Sequence, residues 1–282
     1  MNRLPPIAID AVAFWSSRLP GWDMARAVIR GEQPPPLTSN PRPAPALLAP
    51  TERRRAPDTV AVALEVASRA CERAGRAPAD LPSVFASTHG DLAISDHMCA
   101  TLAATPTLIS PIKFHNSVHN AAAGYWSIGT GSAAPYTAIS AFQHTFGAGL
   151  LEAAVQVACG QQPVLYVAFD IEAKGALASV APSRGLFGVA MVLSPASGNA
   201  SGNTSGRRME LQMRHVDAVV LTPAKSPAAA LVAANALAPC MPLFEALALE
   251  EHARATVDLA LGADTILSVT LSPLPEPYLS KA

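Results

Sequence analysis

The chain has 282 residues and is 50% hydrophobic, enough to bury a substantial core, which excludes a disordered protein. Twenty basic residues stand against twenty-one acidic ones, a formal net charge of -1, so nothing in the balance favours a nucleic acid or an anionic membrane as partner. The four cysteines, Cys71, Cys99, Cys159 and Cys240, are widely spaced in apolar contexts with no CxxC pair. They read as reduced, buried thiols, which suits a cytoplasmic protein.

The N-terminal stretch MNRLPPIAIDAVAFWSSR carries an Asp and two prolines in or beside its apolar run, so neither a signal peptide nor a membrane span is expected there or further on. Within it, IAIDAVAFW (7 to 15) is predicted to be a strand. A segment with eight prolines between Pro34 and Pro57 follows, ending on Arg53, Arg54 and Arg55, and must run over the surface. Residues 58 to 75 form a helical pattern with Asp58 as N-cap and Gly75 as C-cap. Strands are predicted at 83 to 88, 136 to 140, 164 to 170 and 187 to 194, and a nearly all-apolar helix over 146 to 160, closed by Gly160. Strands that are apolar on both faces and alternate with helices imply an α/β layered fold with helices on both faces of the sheet. A Gly/Ser/Asn-rich linker at 196 to 208 divides a body, 1 to 195, from a C-terminal extension, 209 to 282. That extension is predicted as a strand over 209 to 221, a helix around 243 to 261 and a strand over 264 to 272.

The most informative stretch is SAFQHTFGAGLLEAA, residues 140 to 154, a strand end that turns directly into the apolar helix. The first turn of a helix offers free N–H groups and the positive end of the dipole, and in a dry interior these strongly stabilise a developing anion. The residue at the bend is Gln143, whose amide cannot act as a nucleophile. Other candidates are weaker. His115, His119 and His144 lack the third ligand and outer-shell partners a metal needs, so no metal is expected. Ser140 lacks the GxSxG elbow of a serine hydrolase. GTGSAA (129 to 134) precedes a strand instead of following one, which excludes a dinucleotide site, and no cofactor is expected. The triplets NAS at 199 and NTS at 203 mean little without a secretory signal.

SPIKFHNSVHNAAAGYWSIGTGSAAPYTAISAFQH resembles the N-terminal half of a β-ketoacyl synthase, a condensing enzyme of thiolase-like fold. The landmarks fall on Pro111, Asn120, Ala123 with Gly124, Gly129 and Pro135, and an ungapped count places Gln143 at the family's cysteine and Gly160 at the end of its helix. The resemblance spans roughly residues 5 to 195. It implies a thiolase-like body with a reduced C-terminal α/β extension. It also implies a cysteine and two histidines from a second half, and both are missing: beyond residue 208 only His215 and His252 remain. Thiolate chemistry needs an ionisable sulfur.

The chain is most similar to chain-length factors, ketosynthase-like subunits with Gln at this position, and in particular to the short forms of aryl-polyene clusters. This resemblance implies a heterodimer with a catalytic ketosynthase, paired through the strand PYTAIS and meeting acyl carrier protein only indirectly. Arg53 to Arg55 are a second possible contact for an acidic carrier. Phe142, Phe146 and Trp126 are candidates for the apolar lining of an acyl tunnel or interface, with Asn120, His119 and His144 beside them; core packing is the alternative for the three aromatics. Gln143 is expected to stabilise the helix start and fill the pocket. The competing function is a stand-alone decarboxylase or acyltransferase on acyl-carrier substrates, with His119 or His144 as acid or base.

Overall fold

The computed structural model describes residues 3–196, 207–249 and 253–274. Along the chain these form β1 (Ile7–Ser16), α1 (Trp22–Ile29), α2 (Pro50–Arg55), α3 (Asp58–Ala74), β2 (Ser83–Ala86), α4 (Leu92–Ala104), α5 (Pro111–Asn116), α6 (Ala121–Thr130), β3 (Tyr136–Ile139) and α7 (Thr145–Gly160). There follow β4 (Val164–Asp170), β5 (Phe187–Pro195), β6 (Arg207–His215), α8 (Pro227–Val232), α9 (Met241–Leu249), β7 (Ala255–Ala260) and β8 (Thr265–Pro273). All strands belong to one mixed sheet of eight, in the order β3-β2-β4-β5-β1-β6-β8-β7. β2 runs parallel to β3 and β4, and the remaining pairs are antiparallel.

The two-sided apolar character of β1, β4 and β5 follows from cover on both faces: each is buried along almost its whole length. On one face, α3 lays Val60, Leu64 and Ala67 over β1, β4 and β5, and Trp126 of α6 packs beside them. On the other, α1, α7, α8 and α9 form the larger core around Phe146, Leu150, Phe187 and Phe244. The one acid inside β1, Asp10, sits at a register irregularity and is paired: its carboxylate accepts from Ser194 Oγ at 2.6 Å and Arg76 Nη2 at 2.9 Å. A buried charge without such partners would be strongly destabilising.

The strands after residue 206 continue the sheet. β6 pairs with β1 at Ile7–Met209, β8 pairs with β6, and β7 closes the far edge. The far edge returns to α7, where a Cβ placed on Gly147 would lie 2.8 Å from the Ala260 carbonyl oxygen. The sheet therefore curls round α7, and the short tail covers a helix that packs against β2 and β4 on its other side.

Several expectations need correction. The helix expected over 243 to 261 ends at Leu249 within the described residues, and 255–260 form β7, because Val257 and Leu259 alternate with the less buried Thr256 and Asp258 at the period of a strand. The strand expected at 209 to 221 starts two residues earlier and stops at His215. Asp58 is the first residue of α3 and not its cap; the cap position is Pro57, and Asp58 pairs with Arg42 Nε at 2.8 Å. α7 closes on Gln161 in the left-handed region, one residue after Gly160. Cys71 and Cys240 are buried thiols, whereas Cys99 and Cys159 are exposed. The proline-rich stretch is largely exposed to Arg42 but then buries Leu48 and forms α2, so Arg53 donates to the Leu48 carbonyl instead of standing free. NAS and NTS, and most of the linker, lie outside the described residues, as does His252. Among the described residues no helix is long and apolar enough to cross a membrane.

Candidate functional site

The turn between β3 and α7 is fixed by short hydrogen bonds. Ser140 Oγ donates to the Thr88 carbonyl at 2.9 Å, tying the strand end to the loop after β2. Thr145 Oγ1 accepts from the Ala141 N–H at 2.9 Å and donates to the Phe142 carbonyl at 2.7 Å. The bend itself falls on Phe142, whose φ of 53° is in the left-handed region, at a cost on the order of 1 kcal/mol or more for a bulky side chain. Thr145 thus pins the turn, while the N-cap of α7 is His144 and no side chain, Gln143 included, makes a cap hydrogen bond there. Gln143 is exposed, and its side chain takes no hydrogen bond among the described residues.

α7 can approach the sheet closely because Gly149 stands where a Cβ would meet Ala86 Cβ and the Tyr166 ring at 2.8 Å. Tyr166 in turn donates its hydroxyl to the Phe146 carbonyl at 2.7 Å, satisfying one carbonyl in the first turn of the helix. The apolar run of residues 146 to 157 therefore aims the helix N-terminus at a definite place above β2 and β4.

A second wall is built on Asp170, the last residue of β4. Its buried carboxylate accepts from Ser87 Oγ at 3.0 Å, the Thr88 N–H at 2.9 Å and Thr88 Oγ1 at 2.7 Å. Burial pushes its pKa up to about 6, against the opposing pull of the Thr88 and Ser87 hydrogen bonds. This carboxyl shapes the loop that carries His89. Burial lowers the His89 pKa, a hydrogen bond to the Ala181 backbone raises it, and the neighbouring His119 lowers it further. His89 Nε2 is buried without a partner, and its ring lies edge-on to Phe142 at 6.4 Å. His119 stands one layer behind, donating from Nε2 to the Ser87 carbonyl at 2.8 Å.

The third wall comes from the tail. Thr222 Oγ1 accepts from the Asp258 N–H on β7 at 3.2 Å. Buried Asn235 donates from Nδ2 to the carbonyls of Asp170 at 3.2 Å and of Arg184 and Gly185 at 3.1 Å each, while its Oδ1 accepts from the Leu237 N–H at 3.0 Å. Between the three walls lies a cavity of about 490 Å³, lined chiefly by apolar side chains, with Thr88, His89, Gln143, His144, Thr222, Asn235 and Asp258 as its polar members.

Of the residues singled out in the sequence, Phe142, Gln143, His144 and Phe146 line this cavity. Asn120 is outside it, exposed, and its amide donates to the Tyr136 hydroxyl at 3.2 Å, beside the edge strand. Trp126 is a core residue, 2% exposed and 6.4 Å from the Phe85 ring on the opposite face of the sheet, so neither tunnel lining nor an interface is open to it. Sequence reasoning missed His89, Asp170 and Asn235. An acid ending a wholly apolar strand and the polar run STHG after β2 were available signals; nothing local marked Asn235.

Chemically, the cavity can hold an apolar group and offer it a few polar contacts. Gln143 itself offers no thiolate for acylation, because its amide has no ionisable group. The nearby Cys240 is fully buried, its thiol held well above the ordinary range by burial, so it supplies no thiolate.

Comparison with known proteins agrees with this architecture. The β-ketoacyl synthase N-terminal domain family matches residues 28–237. No curated protein sequence matches the chain. Among solved structures, a chain of the complex of the ketosynthase ApeO with its chain length factor ApeC from Xenorhabdus doucetiae is similar, with a TM-score of 0.69 and 19% identity over 94% of this chain and 98% of that one. The ishigamide ketosynthase/chain length factor gives 0.70 and 14% over 96% and 100%. A chain of AntDE:AntF, a type II acyl-carrier protein in complex with its ketosynthase, gives 0.71 and 9% over 97% and 100%. At these identities the structures speak for the thiolase-like fold alone, and the family match, which covers most of the chain, settles membership: the chain belongs to the β-ketoacyl synthase N-terminal domain family.

Proposed function

We propose that this chain is a non-catalytic, chain-length-factor-like subunit that pairs with a catalytic β-ketoacyl synthase in fatty-acid or polyketide assembly of the aryl-polyene type. The observation that carries this reading is Gln143 on the wall of an otherwise preserved helix-terminus pocket. A dipole, a largely apolar cavity and a strained turn are in place, but the group that would be acylated is an amide.

The pairing surface follows from the sheet edge. Among the described residues β3 bonds only to β2, which leaves one row of its backbone groups open, a liability unless a partner covers it. Ile128 is exposed on α6, which packs on β3, and Leu108, Ile112, Phe114 and Val180 are exposed on α5 and on segments beside α4. Large apolar side chains left exposed in this number suit a protein interface. Phe142, half-exposed at the mouth of the pocket, then stands where the partner's growing acyl chain would meet this subunit. The acyl carrier protein is met through the ketosynthase.

Co-expression with a candidate catalytic ketosynthase tests the proposal. A stable complex on size exclusion, with condensing activity that survives Gln143→Ala, is the expected outcome. A folded monomer that binds no ketosynthase and decarboxylates a malonyl-carrier substrate in a Gln143-dependent way would sink it.

A further inference from the structure

Asn235 also forms part of a second cavity, about 320 Å³, between the ends of β1, β5 and α8. Its polar lining includes Ser16, Ser17, Arg18, Ser39 and Arg184. Ser16 is 3% exposed, and its Oγ is buried with no hydrogen-bond partner. The backbone of Ser16 is satisfied by the turn, its N–H donating to the Leu19 carbonyl at 3.0 Å and its own carbonyl accepting from Leu19 at 3.1 Å, so only the hydroxyl lacks a partner. A buried hydroxyl without a partner is costly, and a ligand oxygen would recover that cost.

The side chain of Arg18 and the backbone of Arg184 are held in place, and neither arginine is neutralised. Arg18 donates from Nε to the Pro36 carbonyl at 2.7 Å, which leaves its terminal nitrogens. The Arg184 backbone is anchored at both ends, its N–H on the Ala234 carbonyl at 2.9 Å and its carbonyl under Asn235 Nδ2 at 3.1 Å. Among the described residues neither guanidinium has an ion-pair partner. Two positive charges beside one recess, walled by Phe187, Leu231 and Val232, raise the local potential for anions. Guanidinium forks match tetrahedral oxyanions two oxygens at a time, and paired forks suit a dianion better than a carboxylate. The volume also leaves room for a group attached to the anion.

We propose that this recess binds a phosphate group, gripped by Arg18 and Arg184 with the Ser16 hydroxyl as a further donor. The site is separate from the Gln143 pocket, and its existence does not depend on the subunit role.

Calorimetric titration of the full chain with inorganic phosphate, in chloride buffer of constant ionic strength, tests it, with coenzyme A as a second probe that carries phosphate on an organic frame. The expected result is saturable binding of at least one probe, weakened about tenfold or more by Arg184→Gln and by Arg18→Gln and several-fold by Ser16→Ala. Arg184→Lys, which keeps charge but loses the fork, should fall between. Tighter binding of coenzyme A identifies an organic phosphate as the ligand, and equal affinities identify the free ion. The proposal fails if neither probe gives a saturable heat. It fails equally if Arg184→Gln and Arg18→Gln, with unchanged thermal midpoints, bind as the parent does.

Discussion

Gly147, in the first turn of α7, faces the carbonyl oxygen of Ala260 on β7 so closely that a Cβ would lie 2.8 Å from it. This contact joins the helix of the pocket to the last strand of the curled sheet. Backbone on one side and a buried helix on the other leave little room to give. Gly147→Ala should therefore destabilise the chain by about 1–3 kcal/mol, the usual range for overpacking, when unfolding is followed in urea. Gly124→Ala, on the interior of α6 with open space around it, should instead gain about 0.5–1 kcal/mol from helix propensity.

Asp170 makes the stability depend on pH. Its pKa of about 6 lies above the ordinary 3.8, so the folded state holds this proton more tightly than the unfolded state. The protonated carboxyl therefore contributes stability that is fully present below about pH 4 and is lost as pH rises through about 6. A shift of this size corresponds to about 3 kcal/mol. The stability of the parent minus that of Asp170→Asn should fall between about pH 4 and 6 and stay flat above 7. A difference that is level across that window would show that the carboxyl is not strained by burial.

Much of this fold was legible because its signals are local. The apolar strands β1, β4 and β5 and the helix ending at Gly75 needed only composition and a glycine. Gln143 was found by its place after a strand and before an apolar helix. What stayed hidden depends on long-range contact. The stretch 255–260 reads as the end of a helix because it continues the alanine- and leucine-rich run from 243, and becomes a strand because β8 pairs with it, a tertiary choice that overrides propensity. Asn235 is held at the pocket by carbonyls far away in the chain, those of Asp170, sixty-five residues earlier, and of Arg184 and Gly185. Trp126 looked like tunnel lining since aromatic side chains suit both core and interface, and only its burial against Phe85 decides between them.

The exposed apolar side chains of α5 and α6 yield a test that separates binding from folding. Ile128 is 81% exposed and Phe114 62%, so a charge at either position should change the stability of the isolated chain by no more than about 0.5 kcal/mol. In the complex both would be desolvated. Ile128→Glu and Phe114→Glu should each weaken recovery of the ketosynthase in a pull-down about tenfold or more, a loss of at least 1.4 kcal/mol. Leu37→Glu, equally exposed but on the proline-rich stretch, should leave recovery unchanged.

Phe142 combines strain with position. Phe142→Gly removes the penalty of a left-handed φ of 53° but adds chain entropy to the unfolded state. These oppose each other, so the net stability change should stay within about 1 kcal/mol. The ring at the pocket mouth is lost, and in the reconstituted pair the products should lengthen as the space beside His89 opens. An unchanged product distribution from a normally assembled complex would remove Phe142 from the tunnel.

Gln143→Cys asks whether the helix terminus still activates a thiol. The position is exposed on the pocket wall, and free N–H groups with the positive end of α7 lower a thiol pKa, so the new cysteine should be alkylated by iodoacetamide faster than the exposed Cys99 and Cys159. Acylation and condensation are separate steps, however, and the second needs an acid–base group aimed at the extender unit. His89 and His144, the two imidazoles on the pocket wall, each keep a buried ring nitrogen without a hydrogen-bond partner, and among the described residues neither has an acidic partner to orient it. The variant without a ketosynthase should therefore take up an acyl group from an acyl carrier, seen as a mass increase, while forming no condensed product. Condensation by the variant alone would mean that the tail, and not a partner chain, completes the active site.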